Sequence, residues 1–155
     1  MTRAAVDRAD AEAALARLEE RVAAVWEELL AVWAGEDRAG LSWAWNPRLR
    51  TTAGRAWVRD GRVELNPRLL ARHPDAVRMV VAHELAHCLA HRRAPRESAH
   101  GPTWRALMVA VGEAPRATHR IDVGDLAVRR RRRPRGVAPR AAPRRRGLWA
   151  RLLGW

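Results

Sequence analysis

Apolar residues from Leu15 to Trp33 recur in steps of three and four: Leu15, Leu18, Val22, Val25, Trp26, Leu29, Leu30 and Trp33. That period predicts an amphipathic helix over 10–34, with Asp10 as its N-cap and Gly35 as its stop. Glu19, Glu20, Arg21, Glu27 and Glu28 fill the opposite face, so the helix reads as a scaffold with one side in a core. The pattern changes after Gly40. Leu41–Trp45 reads as a short strand ending at Asn46-Pro47. Arg55–Arg59 and Arg62–Asn66 flank Asp60-Gly61 and read as a hairpin with a tight turn. Residues 67–72 fit a short helical turn. His73-Pro74-Asp75 then opens a second long helix, with Val77, Val80, Val81, Leu85, Cys88 and Leu89 as its apolar positions. Pro95 stops it near Arg92 or Arg93. After a loop over 94–101, Pro102–Val111 reads as a further helix, with Trp104, Leu107, Met108 and Val111 on one stripe. Residues 113–126 are irregular, apart from a short strand expected at 120–123. These elements predict an α+β fold: a long N-terminal helix, a small antiparallel sheet built on the hairpin, and two further helices.

A chain of 155 residues supports one domain and a tail. Eight Trp stand against no Phe and no Tyr, so Trp, Leu and Val must anchor the core. The net charge of +13 is uneven. All 30 basic residues are Arg, and 11 of them follow Asp125, after which there is no acid. The remaining 19 Arg face 17 acids, so residues 1–125 carry only +2. We therefore expect a domain at 8–125 and a disordered Arg-rich tail at 126–155, where Arg, Pro, Ala and Gly cannot build a core.

Such a polycation attracts DNA or other nucleic acid without reading its sequence. Arg129, Arg130, Arg131, Arg132, Arg133, Arg135, Arg144, Arg145 and Arg146 are the candidate contacts. A solvated tail without a partner is the plainer alternative. Leu148, Trp149, Leu152 and Leu153 give residues 147–155 an apolar face that could dock weakly on an anionic membrane or a partner groove. The first residues lack a hydrophobic signal core, and no run has the length of a membrane span. A cytoplasmic monomer is expected, nucleoid-associated if the tail binds DNA.

The candidate chemistry lies at His83-Glu84-Leu85-Ala86-His87. Residues four apart share a helix face, so His83 and His87 can hold one metal ion, and Glu84 can serve as a general base on a coordinated water. At this chain's His and Glu content the H-E-x-x-H pattern arises by chance in roughly 1–2 per cent of such sequences. The bland alternative is a helix with two solvated or core-lining histidines.

A catalytic zinc site takes three protein ligands and leaves one position open. His91 lies too far along the same helix to join His83, because a helix rises about 6 Å every four residues. Arg93 stands where a metzincin has its third histidine. Glu113 is a candidate carboxylate ligand without a helical context. His100, before Gly101-Pro102, is favoured, because Gly101 would let the backbone turn sharply beside the metal. Cys88 is one residue round the helix among apolar neighbours and reads as a small buried hydrophobe. As the lone cysteine it excludes an intramolecular disulfide and a Cys-rich zinc ribbon. Trp43, Trp45 and Trp57 fit core packing, with an aromatic platform for unpaired bases as the alternative.

Four ordered stretches carry a resemblance: Thr51–Trp57, Val63–Pro67, Val81–His87 and His100–Trp104, with Thr118-His119 beyond them. Together, over roughly residues 15–123, the chain resembles the SprT family, which includes bacterial SprT proteins and the eukaryotic protease Spartan. The resemblance implies a minimal zincin-like domain with metallopeptidase activity and one catalytic zinc ion, held by His83, His87 and His100, with Glu84 as catalytic base. It also implies action on DNA-associated or DNA-crosslinked proteins. The chain departs from the bacterial pattern in having the Arg tail where a Cys-rich zinc ribbon would stand. The alternative function is a non-proteolytic nucleic-acid-binding module with a structural zinc.

Overall fold

The computed structural model describes residues 3–117. The Arg-rich tail, the segment 147–155, the strand expected at 120–123 and Thr118-His119 lie outside the described residues.

The first helix, α1, spans Arg3–Val32. It begins seven residues before the expected cap at Asp10, because residues 3–16 are mostly Ala, Arg and Glu, strong helix formers that need no cap there. Residues 3–17 are exposed throughout, Leu15 included, although its spacing placed it with the core. Burial starts at Leu18 and follows the expected stripe through Val22, Trp26, Leu29, Leu30 and Trp33.

Three short strands come next: β1 (Ser42–Trp45), β2 (Gly54–Trp57) and β3 (Arg62–Leu65), in the spatial order β1-β3-β2. β2 and β3 form the expected antiparallel hairpin, but β1 runs parallel to β3. The sheet is thus mixed rather than wholly antiparallel. A parallel neighbour requires a long return connection, and residues 46–61 supply it, laying β2 on the far side of β3 on the way. The turn is longer than Asp60-Gly61. Asp60 N–H donates to the Trp57 carbonyl at 3.0 Å, and Gly61 takes φ +68°, so the loop occupies residues 58–61.

Side chains alternate across the sheet. Val63 and Leu65 are buried, and Trp43, Trp45 and Ala56 pack against the same core. Trp57 points the other way, 40% exposed, with the Arg55 and Arg62 guanidinium groups 5.8 and 5.4 Å from its ring. Trp43 and Trp45 therefore belong to the core side and do not share a surface with Trp57.

Asn66 joins the sheet to the helical half of the domain. It is fully buried, and its amide donates to the carbonyls of Leu49 (3.0 Å) and Thr52 (3.1 Å). Its side-chain oxygen caps α2 (Pro67–Arg72), accepting from Arg68 and Leu69 N–H at 3.1 Å each. A 3₁₀ turn at Pro74–Ala76 leads into α3 (Val77–Arg93), and α4 spans Pro102–Ala110. Both match the expected helices to within a few residues.

α3 is the centre of the domain, packed by α1, α4, β2 and β3. Trp33 Nε1 donates to the Leu107 carbonyl at 3.2 Å, tying α1 to α4 inside the core. Arg78 on α3 pairs with Glu28 (3.2 Å) and Glu113 (2.5 Å) and donates to the Val111 carbonyl (2.9 Å). Among the described residues no helix is long and apolar enough to cross a membrane.

Asn66→Ala removes four hydrogen bonds and strands two carbonyls that face a buried amide. We expect it to cost about 2–4 kcal/mol in urea unfolding. Asn46→Ala, at the partly exposed end of β1, should cost about 1 kcal/mol or less.

Candidate metal centre

The apolar period of α3 buries Val77, Val80, Val81, Leu85, Cys88 and Leu89, and it carries two polar side chains into the same interior. His83 is 5% exposed and Glu84 8%. His87, one turn on, is half-buried. Beyond Arg93 the chain turns back through loop 94–101 and brings His100 over the helix.

The ligand atoms of His83, His87 and His100 lie within 4.8 Å of one another. Nε2 of His83 and Nε2 of His100 are 3.4 Å apart. Two Zn–N bonds of about 2.0–2.1 Å at a tetrahedral angle place their nitrogens about 3.3–3.4 Å apart. The separation therefore fits a shared zinc ion, to which both nitrogens, unprotonated, would give a lone pair. These three histidines are the group the described residues bring together for a metal. The other candidates stand elsewhere. Glu113 is held by Arg78, and His91 lines a cavity next to His87. Cys88 is buried, and that burial pushes its thiol up to about 11.

Three further residues support the cluster, and their sequence positions alone did not mark them for that role. Trp104 on α4 is fully buried, and its ring centroid lies 4.9, 5.6 and 4.6 Å from those of His83, His87 and His100. It forms a common wall for the three imidazoles. Its indole N–H donates to the His83 carbonyl at 3.3 Å, pinning α4 to the motif helix. Its position four residues after His100, on the apolar stripe of α4, pointed first to the core, with a place lining the cleft as the alternative.

Glu97 supports His100. Gly101, the N-cap of α4, has no side chain to cap the helix, and Glu97 does so from the loop. Its carboxylate accepts the Thr103 N–H at 2.9 Å and the Thr103 hydroxyl at 3.0 Å, beside a helix N-terminus that favours negative charge. The chain does turn at residues 98–101, where Gly101 N–H donates to the Ser98 carbonyl at 2.9 Å, but Gly101 has φ −70°, an ordinary value, so the turn does not use glycine's left-handed freedom. Glycine is required for space instead: a Cβ at residue 101 would meet Glu97 Oε2 at 2.8 Å and the Ser98 carbonyl at 3.0 Å.

Gly54 performs a similar service for Glu84. A Cβ on residue 54 would lie 2.7 Å from Glu84 Cγ and 3.2 Å from Val80 Cγ1. The absent side chain lets β2 close against α3, and the Ala56 N–H then hydrogen-bonds the Glu84 carboxylate. Burial dominates that carboxyl and raises it from 4.5 to about 7, against the opposing pull of the Ala56 hydrogen bond and the Arg55 charge. A carboxyl poised near neutrality can both accept and return a proton at physiological pH.

The model of the SprT-like family matches residues 20–124. Protein SprT of Pectobacterium carotovorum is 43% identical over 74 residues, 46% of this chain and 44% of the relative. Protein SprT of Salmonella arizonae is 40% identical over 75 residues (47% and 46%), and Protein SprT of Escherichia coli 39% over 75 (47% and 46%). The match thus spans just under half the length of each relative. No solved structure matches the chain.

The raised Glu84 carboxyl has a stability consequence. The folded metal-free protein binds that proton more tightly than the unfolded chain, so the contribution of Glu84 to stability is fully present below pH 4.5 and is lost as pH rises through about 7. At 1.36 kcal/mol per pH unit the loss has a ceiling of about 3 kcal/mol. Metal-free Glu84→Gln should therefore be more stable than wild type at pH 8, by up to that amount, and nearly equal to it at pH 4. Urea titrations at the two pH values measure the difference, and an equal gain at both would contradict the assigned cause.

Proposed function

The chain belongs to the SprT-like family, and on that premise we propose that it is a zinc-dependent endopeptidase of that type. The observation that carries this reading is the convergence of His83, His87 and His100 beside a buried carboxyl, Glu84, on the same helix as the first two. Three neutral imidazoles suit zinc, and they leave a coordination position open, as catalytic sites require. A structural zinc is normally closed by four protein ligands, and among the described residues the group holds three. That difference favours the peptidase over a non-proteolytic nucleic-acid-binding module.

When bound, zinc would supply a Lewis acid that acidifies a coordinated water and polarises a peptide carbonyl. The protein's own groups do the rest. Trp104 fixes the three imidazoles by packing against them and by its bond to the His83 carbonyl. Glu84 accepts the proton of the attacking water and returns it to the leaving amine. The Ala56 N–H holds the Glu84 carboxylate in place, and the surrounding apolar residues keep bulk water from it.

We extend the reading to the partner. Residues 126–155 hold eleven Arg and no acid, which supports attraction to DNA and action on DNA-associated or DNA-crosslinked proteins.

A protein-cleavage assay with and without single-stranded DNA tests both parts. Wild type should cleave, faster with DNA present. Glu84→Gln should retain one zinc per chain and lose cleavage by at least about 100-fold, the scale of a lost general base. His100→Ala should lose zinc. Cleavage by Glu84→Gln at the wild-type rate would overturn the mechanism, and tight DNA binding by a wild type that cleaves nothing would favour the binding module.

A further inference from the structure

A cavity of about 190 Å³ opens directly beside His87. Val58, at the tip of the β2–β3 hairpin, forms one wall. Ala90 on the last turn of α3 and Ala94 just beyond its end form another, and Ala99 closes the loop side. Glu97 lies at its edge, but both carboxylate oxygens are already engaged by Thr103. His91 and Ser98 complete the lining, so small apolar side chains make up half of it, next to a candidate metal ligand. A cavity of about 150 Å³ holds a benzene-sized group, so this one has room for a side chain of the Leu or Met class.

We propose that this cavity receives an aliphatic side chain of the protein substrate, next to the bond that is cut. The proposal rests on the peptidase reading and adds the determinant of specificity to it. The three alanines leave the space, and Ala99, exposed on the loop, is the position where it can be filled without disturbing the core. Apolar pockets discriminate by roughly 10- to 200-fold per methylene gained or lost.

A peptide library varied around the cut site tests this on the zinc-loaded full chain, with single-stranded DNA present. Wild type should cut Leu and Met peptides at least about tenfold better in kcat/KM than their Ala counterparts. Ala99→Leu should keep its zinc and reverse that preference. Calorimetry gives a second readout in the Glu84→Gln background, where a Leu peptide should bind more tightly than an Ala peptide until Ala99→Leu is added.

A profile unchanged by Ala99→Leu would overturn the proposal. So would a preference for Lys or Arg, which would make Glu97 the determinant instead. If wild type cuts nothing while the binding difference persists, the pocket stands and the peptidase reading fails. If both are absent, both fail.

Discussion

Helix α3 runs through the middle of the domain with apolar contacts on nearly every side, yet it carries His83 and Glu84 into that interior. An imidazole and a carboxyl removed from water need partners, because an unsatisfied buried polar group costs on the order of 1–3 kcal/mol and a charge more. The surroundings of α3 are organised around that need. The His83 imidazole meets those of His87 and His100, and the Glu84 carboxyl meets the β2 backbone. Even so, burial keeps Glu84 far from its ordinary acidity. A fold that selected only for stability would place leucine at both positions.

The supporting parts come from separated segments, each held by its own local chemistry. Gly54 allows β2 to reach Glu84 because residue 54 lacks a Cβ. Asn66 anchors the loop leading into β2 and the helix leading away from β3, so it sets the position of the strand that meets α3. Glu97 caps α4 and orders the turn that delivers His100, and Trp104 joins α4 to the carbonyl of His83. Arg78 and Trp33 fasten α1 across the other side of α3 and α4. The geometry of the candidate site therefore depends on residues that would each look structural in isolation.

Much of this arrangement was legible in the amino-acid pattern. The 3.6-residue period located the buried stripe of α1 and the spans of α3 and α4, and the turn residues located the hairpin. The spacing of His83 and His87 marked the metal face, and His100 was preferred because a loop could return it. What escaped depends on distances between segments remote in sequence. The parallel pairing of β1 with β3 leaves no local mark, because short alternating strands look the same in either direction. Gly54 looks like an ordinary strand-end glycine until the Glu84 side chain is seen behind it. Glu97 sits in a loop whose composition gives no hint that its carboxylate turns toward Thr103. The early start of α1 escaped for the opposite reason: residues 3–17 form helix from local propensity, without the buried stripe that marks the rest.

His83, His87 and His100 holding one zinc ion with a fourth position left to solvent is the central claim. X-ray absorption at the zinc edge tests it most directly on the zinc-loaded protein. The account predicts three nitrogen ligands at about 2.0–2.1 Å and one light solvent ligand, with no sulfur. A sulfur ligand at about 2.3 Å, or a shell unchanged in the His100→Ala variant, would contradict it.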